Sequence, residues 1–223
     1  MQSPYALGND ALYRRWRAWK LENYPVRTES IVVEVRDPRN PSPTETQELL
    51  RICRKANMAI YRSRLGDEAD KDIPRRFGAH FGLHRLDSNL LADEDSITSI
   101  EAVPGKSGRG YIPYSNRRLL WHTDGYYNPE TRRIRVFLLH CVQPAAEGGE
   151  NALLDPEIAY IRLRDANPDY IRALMAPDAM TIPPNTEEGA ERPASVGPVF
   201  SVDSTGGNLH MRYTARTRSI VWK

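Results

Sequence analysis

Over the first eighty residues, apolar positions at helical spacing alternate with short apolar runs. Leu12, Trp16 and Trp19 recur at three- and four-residue intervals and predict an N-terminal helix, with Arg14, Arg15 and Arg17 largely opposite. Ile31-Val32-Val33-Glu34-Val35 reads as a strand ended by the turn-rich segment 37–43, whose three prolines fix φ and remove donors. Thr44 followed by Gln47 has the form of a capping box and predicts a helix with Leu49, Cys53 and Ala56 on one stripe. A strand around Met58–Tyr61 follows, then a helix on which Ile73, Phe77 and Phe81 recur every four residues.

From Ser96 the period changes. Ile97/Ile100, Tyr111-Ile112, Leu119-Leu120-Trp121 and Ile134–Leu139 are short runs separated by turn chemistry at Pro104-Gly105, Asn116, Asn128-Pro129 and Gly148-Gly149. Regularly spaced short strands point to a sandwich or barrel. Two short helices are expected from Pro156 and Pro168, capped by Asp155 and Asn167 with proline at the first helical position. Strands at Val199–Val202 and Leu209–Tyr213 complete a mainly β core with flanking helices.

The 223 residues suit a single domain, 1–223, with residues 1–30 as a helical arm. A hydrophobic content of 40% with 27% charged residues is that of an ordinary globular protein, long enough to bury a core. The formal charge of +2 is too mild to imply nucleic acid, and the one basic-aromatic cluster, Tyr13 to Lys20, reads as a packing helix. The longest aliphatic or aromatic run, Val136–Leu139, is far short of the roughly 18 residues of a membrane span. No secretory leader is visible, and Cys53 and Cys141 form neither a disulfide framework nor a metal spacing, so a cytoplasmic setting is expected.

The segment Trp121-His122-Thr123-Asp124-Gly125 carries the chemistry. In extended backbone His122 and Asp124 point the same way, and Trp121 and Thr123 the other. One imidazole and one carboxylate on one face are two-thirds of the facial triad that holds non-haem Fe(II) while leaving positions open. Downstream stand Ile134–Val142, with its Leu138-Leu139-His140-Cys141 run. Then come Glu147-Gly148-Gly149-Glu150-Asn151-Ala152-Leu153-Leu154-Asp155, a helix ending in Asp165-Ala166-Asn167-Pro168, and Asn208-Leu209-His210-Met211-Arg212-Tyr213-Thr214. In this order the motifs resemble the TauD/TfdA superfamily of Fe(II)/2-oxoglutarate dioxygenases over residues 30–220. The Leu-Leu-His-Cys run before the Gly-Gly turn is especially similar to the gamma-butyrobetaine hydroxylase branch.

The resemblance implies a double-stranded β-helix (jelly roll) of the clavaminate synthase/TauD type. It implies Fe(II) held by His122, Asp124 and a distal histidine, with 2-oxoglutarate and O2 as cosubstrates and succinate and CO2 as coproducts. Asn151 stands where the family often has a threonine contacting 2-oxoglutarate, and its amide can donate a hydrogen bond. The expected substrate is a small organic acid or ammonium compound. In the family the distal histidine, and the arginine that grips 2-oxoglutarate, come after a further helix and further strands, whereas this sequence stops at Lys223. Three expectations stand open: a C-terminally truncated, incomplete jelly roll; an inactive remnant that keeps the scaffold; or His210 as substitute ligand, with Arg216 or Arg218 serving the cosubstrate. Unpaired strand edges in an incomplete roll would invite pairing with another chain, so a homo-oligomer is compatible with the sequence.

The remaining candidates have plainer readings. His80 and His84 read as a helix-end packing pair, His140 as a neutral, at least half-buried histidine with one partner, and Cys141 as a small core residue. Tyr111, Tyr114, Tyr126 and Tyr127 could offer faces to a quaternary ammonium group or simply pack. Arg117, Arg118, Arg132, Arg133 and Arg135 could attract an anion instead.

Overall fold

The computed structural model describes residues 3–65, 68–87, 96–101, 115, 117–186, 191–203, 206–216 and 220–223. The expectations at Pro104-Gly105, Tyr111-Ile112, Tyr114, Asn116 and Arg218 lie outside them. The chain forms two compact units: Met1–Arg85 with Leu138–Ile171 and Val202–Leu209, and Leu86–Phe137 with Arg172–Ser201 and His210–Lys223.

In the first unit, helix α1 (Asp10–Asn23) precedes strand β1 (Val32–Val35), helix α2 (Pro43–Ala56), strand β2 (Ile60–Ser63) and helix α3 (Asp72–His80). β1 and β2 pair in parallel, Val32 opposite Ile60 and Val35 opposite Ser63, so α2 is the crossover between them. Leu49, Ile52 and Ala56 of α2 close over Val33 and Val35, with Phe77 of α3 in the same core and Tyr61, Phe81 and Leu138 packed against it. The capping box falls two residues before the position expected from sequence. Ser42 Oγ accepts from Glu45 N at 3.2 Å, and Glu45 Oε2 accepts from Ser42 N at 2.6 Å. Pro43 explains the shift: it disfavours helical backbone at Ser42, which is extended at φ −65° and ψ 158° and so becomes the cap.

Helix α4 (Pro156–Ala166) follows its cap Asp155, whose carboxylate accepts from Glu157 N at 2.8 Å, and α5 (Pro168–Leu174) begins where Asn167 accepts from Asp169 N at 2.9 Å. α1 and α4 meet through aromatic rings: Tyr160 lies edge-on to Tyr5, Tyr13 and Trp16. The Arg164 guanidinium lies 3.8 Å from the centre of the Tyr13 ring. The buried stripe of α1 is therefore Tyr13 and Lys20, while Trp19 is 42% exposed. This corrects the stripe expected from Leu12, Trp16 and Trp19. The reason is chemical: α4 presents carboxylates as well as rings, so a lysine belongs on the inner face. Lys20 Nζ, fully buried, sits 2.6 Å from Asp155 Oδ2 and 2.5 Å from Glu157 Oε2, and Tyr5 Oη donates to Glu157 as well.

In the second unit, strand β3 (Met180–Ile182) lies between β4 (Ser195–Gly197) and β7 (Val221–Trp222), antiparallel to both. Strands β5 (Phe200–Val202) and β6 (Leu209–Met211) form a separate pair. Arg212, just past β6, is 7% exposed and donates to the carbonyls of Met180, Gly197, Ser195 and Pro198, tying the strand ends together.

Three expected strands do not form among the described residues, the run at Ile97/Ile100 among them. Ile134–Leu139 and Leu119–Trp121 run without ladder partners apart from single bonds, and Val136, Phe137 and Leu139 are 50–59% exposed. An apolar run shows that a strand is favourable but not that a partner strand lies alongside, and pairing defines the strand. Cys141 is exposed, which corrects its reading as a core residue. The described residues thus show five α-helices and three small sheets rather than a closed double-stranded β-helix. No helix among them is long and apolar enough to cross a membrane.

Candidate active site

His122 and Asp124 lie in the second unit on a segment held by the stretch just after β6. Thr123 N donates to Tyr213 O at 2.9 Å, Ala215 N donates to Trp121 O at 2.7 Å, and His122 bridges antiparallel to Thr214, itself 1% exposed. Thr123 turns to this backbone side, where Tyr213 N donates to Thr123 Oγ1 at 3.0 Å. The alternation of an extended chain then sends His122 and Asp124 to the other face. Their side chains converge: His122 Nε2 is 3.5 Å from Asp124 Oδ1, with 28% and 39% of the side chains exposed.

His122 Nδ1 lies 2.8 Å from Leu120 O. A carbonyl can only accept, so Nδ1 carries the hydrogen, and in the neutral ring the Nε2 lone pair faces Asp124. The hydrogen bond to Asp124 raises the imidazole above its usual range, against the opposing effect of burial, with the Leu120 carbonyl adding to the rise. Gly125 then turns the chain at φ +62°, where Asn128 N donates to Gly125 O at 2.8 Å. A Cβ at Gly125 would lie 2.6 Å from Ile134 Cγ1, so both the backbone angle and the space demand glycine.

Metal–ligand distances to imidazole nitrogen and carboxylate oxygen are about 2.0–2.2 Å, so two donor atoms 3.5 Å apart can share one ion. The carbonyl on the far ring nitrogen is the usual support of a metal-binding imidazole. The donor set therefore fits two of the three protein positions of a non-haem iron site. No group of three His, Cys, Asp or Glu side chains that could hold a metal occurs among the described residues. His210 of β6 is flanked by cations instead: burial, then Arg133, Arg135 and Arg212, push its imidazole down to about 4.

Asn151 lies in the first unit, exposed, and its amide donates to Gly149 O at 3.2 Å in a turn where Gly148 and Gly149 both have positive φ. His140 is half-buried and neutral-favouring through burial, with Tyr61 Oη 2.6 Å from its Nδ1, as the sequence suggests. His80 and His84 are exposed, and His80 Nε2 lies 3.4 Å from Arg39 O. Among the arginines flanking the motif, Arg132 pairs with Asp87 at 2.7 Å and Arg133 with Glu130 at 2.7 Å. Sequence reasoning misses Arg192, whose guanidinium carbon lies 5.3 Å from the centre of the Tyr127 ring, three residues beyond Asp124. More than sixty residues separate the two, and no local pattern joins them.

A uridine-5'-phosphate dioxygenase of Amycolatopsis sp is 37% identical over 99 residues, covering 43% of this chain and 33% of the relative. A uridine-5'-phosphate dioxygenase of Streptomyces sp is 31% identical over 134 residues, covering 60% of this chain and 47% of the relative. The chain thus spans less than half the length of either. No solved structure matches the chain significantly. The family model for taurine catabolism dioxygenase TauD, TfdA matches residues 20–222, from within α1 to the last strand. With nearly the whole chain inside that match, it belongs to the TauD/TfdA family.

Proposed function

We propose that the chain carries the metal-binding motif of an Fe(II)/2-oxoglutarate-dependent dioxygenase that hydroxylates a small molecule. Dioxygenases of this family use Fe(II), 2-oxoglutarate and O2. The observation that carries the reading is the 3.5 Å approach of His122 Nε2 to Asp124 Oδ1, with His122 Nδ1 tied to Leu120 O. His122 and Asp124 would hold the ion. Bound there, iron would supply the redox chemistry by which O2 is reduced with electrons from 2-oxoglutarate and substrate. One oxygen atom enters the substrate C–H bond as a hydroxyl and the other enters succinate, as 2-oxoglutarate loses CO2. The chain's own contributions are positional. The Leu120 carbonyl fixes the ring tautomer, Thr123 anchors the segment to Tyr213, and Gly125 turns the chain away directly after the second ligand.

The architecture we infer is the family's jelly roll, to which β3, β4, β7 and the β5–β6 pair would contribute strands. The Leu138–Cys141 run before the Gly148-Gly149 turn favours the gamma-butyrobetaine hydroxylase branch. For the substrate, the names of the two relatives favour a phosphate-bearing nucleoside over an ammonium compound. A second reading, a scaffold without a working iron site, draws on the lack of a third ligand beside the pair among the described residues. Succinate release separates the two. Incubated with Fe(II), ascorbate, 2-oxoglutarate and uridine 5'-monophosphate, the enzyme reading expects succinate that disappears in His122→Ala and Asp124→Ala. Absence of 2-oxoglutarate turnover in protein that retains iron would favour the scaffold.

A further inference from the structure

Arg192 stands at the neck of a loop closed by reciprocal backbone bonds, Asn185 N to Arg192 O at 2.8 Å and Arg192 N to Asn185 O at 2.9 Å. Its side chain is directed as firmly. Nη2 donates to Pro183 O and Nη1 to Pro193 O, both at 3.0 Å, and the guanidinium lies over the Tyr127 ring. Tyr127 is three residues beyond Asp124, on the turn that Gly125 begins, and its ring packs edge-on to Tyr126 at 5.2 Å. The cation is therefore held over a ring three residues beyond Asp124.

No carboxylate lies within ion-pair distance of Arg192 among the described residues, whereas Arg132 and Arg133, closer in sequence to the motif, are each neutralised by an acid. Of the five N–H donors of a guanidinium, the two proline carbonyls take two, and the other three have no partner among the described residues. A planar fork already oriented by a cation–π contact and by two carbonyls loses little freedom on binding an oxyanion, which is how arginine recognises phosphate. The occupied Tyr127 face speaks against an ammonium ligand there, because the ring already holds the protein's own cation.

From this geometry we infer that Arg192, held over Tyr127, is the anchor for the phosphate monoester of the substrate beside the His122–Asp124 pair. The inference rests on the dioxygenase reading for its substrate but not for its test, which needs neither metal nor turnover. Calorimetric titration of the metal-free chain with inorganic phosphate, uridine 5'-monophosphate and uridine reads the site directly. Wild type should bind the nucleotide and phosphate, and uridine far more weakly. Arg192→Gln can still donate an amide hydrogen bond to a neighbouring carbonyl but loses the charge, and should weaken both anions by roughly 10- to 100-fold without changing uridine. Arg192→Lys, which keeps the charge without the fork, should lose part of that affinity, and Tyr127→Phe should retain it.

No nucleotide or phosphate binding by the wild type would overturn the inference. So would unchanged nucleotide affinity in Arg192→Gln, or equal weakening of nucleotide and uridine. Should Arg192→Gln fail to fold, the comparison of Arg192→Lys with wild type decides. Anion binding at Arg192 in a chain that gives no succinate would retire the dioxygenase reading and leave the anion site standing. Succinate release with unchanged nucleotide affinity in the variants would do the reverse.

Discussion

Replacing Lys20 by methionine tests how α1 is held. The side chain keeps nearly its length, but the ammonium that sits 2.6 Å from Asp155 and 2.5 Å from Glu157 is gone. Lys20 and Asp155 side chains have no exposure and Glu157 has 16%, so water cannot replace the lost partner. Asp155 keeps only the bonds from Glu157 N and Asn57 Nδ2, at 2.8 and 2.9 Å. Removing one partner of a buried ion pair costs about 3–5 kcal/mol, a large share of the roughly 5–15 kcal/mol that holds a typical protein folded. At about 2–4 °C per kcal/mol for a chain of this size, Tm should fall by roughly 6–20 °C. Urea unfolding followed by tryptophan fluorescence suits the measurement, since Trp16 and Trp19 lie on α1. Burial already holds the Asp155 carboxyl above its usual range, against Lys20 and Asn57, so the variant's deficit should narrow in acid as that group takes up a proton. Adding Asp155→Asn, which keeps the capping oxygen, should recover at least about 1 kcal/mol. A Lys20→Met protein within about 1 kcal/mol of wild type at neutral pH would refute the reasoning.

Four further outcomes follow. Ser42→Ala should cost about 0.5–2 kcal/mol by equilibrium unfolding, whereas Thr44→Ala at the position expected from sequence should cost less. Glu45 is held below its usual range by the backbone N–H groups of Arg36 and Ser42; a depressed carboxylate contributes stability above its unfolded value near 4.5, lost as pH falls through the folded one. Glu45→Gln should remove that acid-side slope in a pH series of unfolding curves. Gly125→Ala must accept positive φ and a contact with Ile134, at a cost of about 1–3 kcal/mol, and should also weaken metal binding because Gly125 follows Asp124 directly. In metal-free protein the His122 imidazole, raised above 6.5 by Asp124, contributes stability that is full below 6.5 and fades as pH rises through its folded value. Proton NMR of the ring should show that raised midpoint, and Asp124→Asn should bring it down.

What the sequence reveals here depends on whether a signal is local. Proline after a cap, apolar spacing on α2 and α3, and alternation across 122–124 are written in neighbouring residues, and each reappears in the structure. The inner face of α1 was not legible, because Lys20 is buried only by virtue of Asp155 and Glu157, more than 130 residues away. The same holds for Arg212, whose role exists only once carbonyls of β3, of β4 and of Pro198 gather round it, and for Arg192 over Tyr127. The apolar run 134–139 shows the opposite error, in which a strong local preference is not met by a pairing strand among the described residues.

The central claim is that His122 and Asp124 hold one divalent ion between them. Anaerobic titration with Co(II), followed by its visible absorption, measures this without turnover or substrate. The account predicts a single saturable site in the wild type, with affinity reduced by at least about tenfold in His122→Ala and in Asp124→Ala. Identical Co(II) affinity and spectra in wild type and either variant would contradict it.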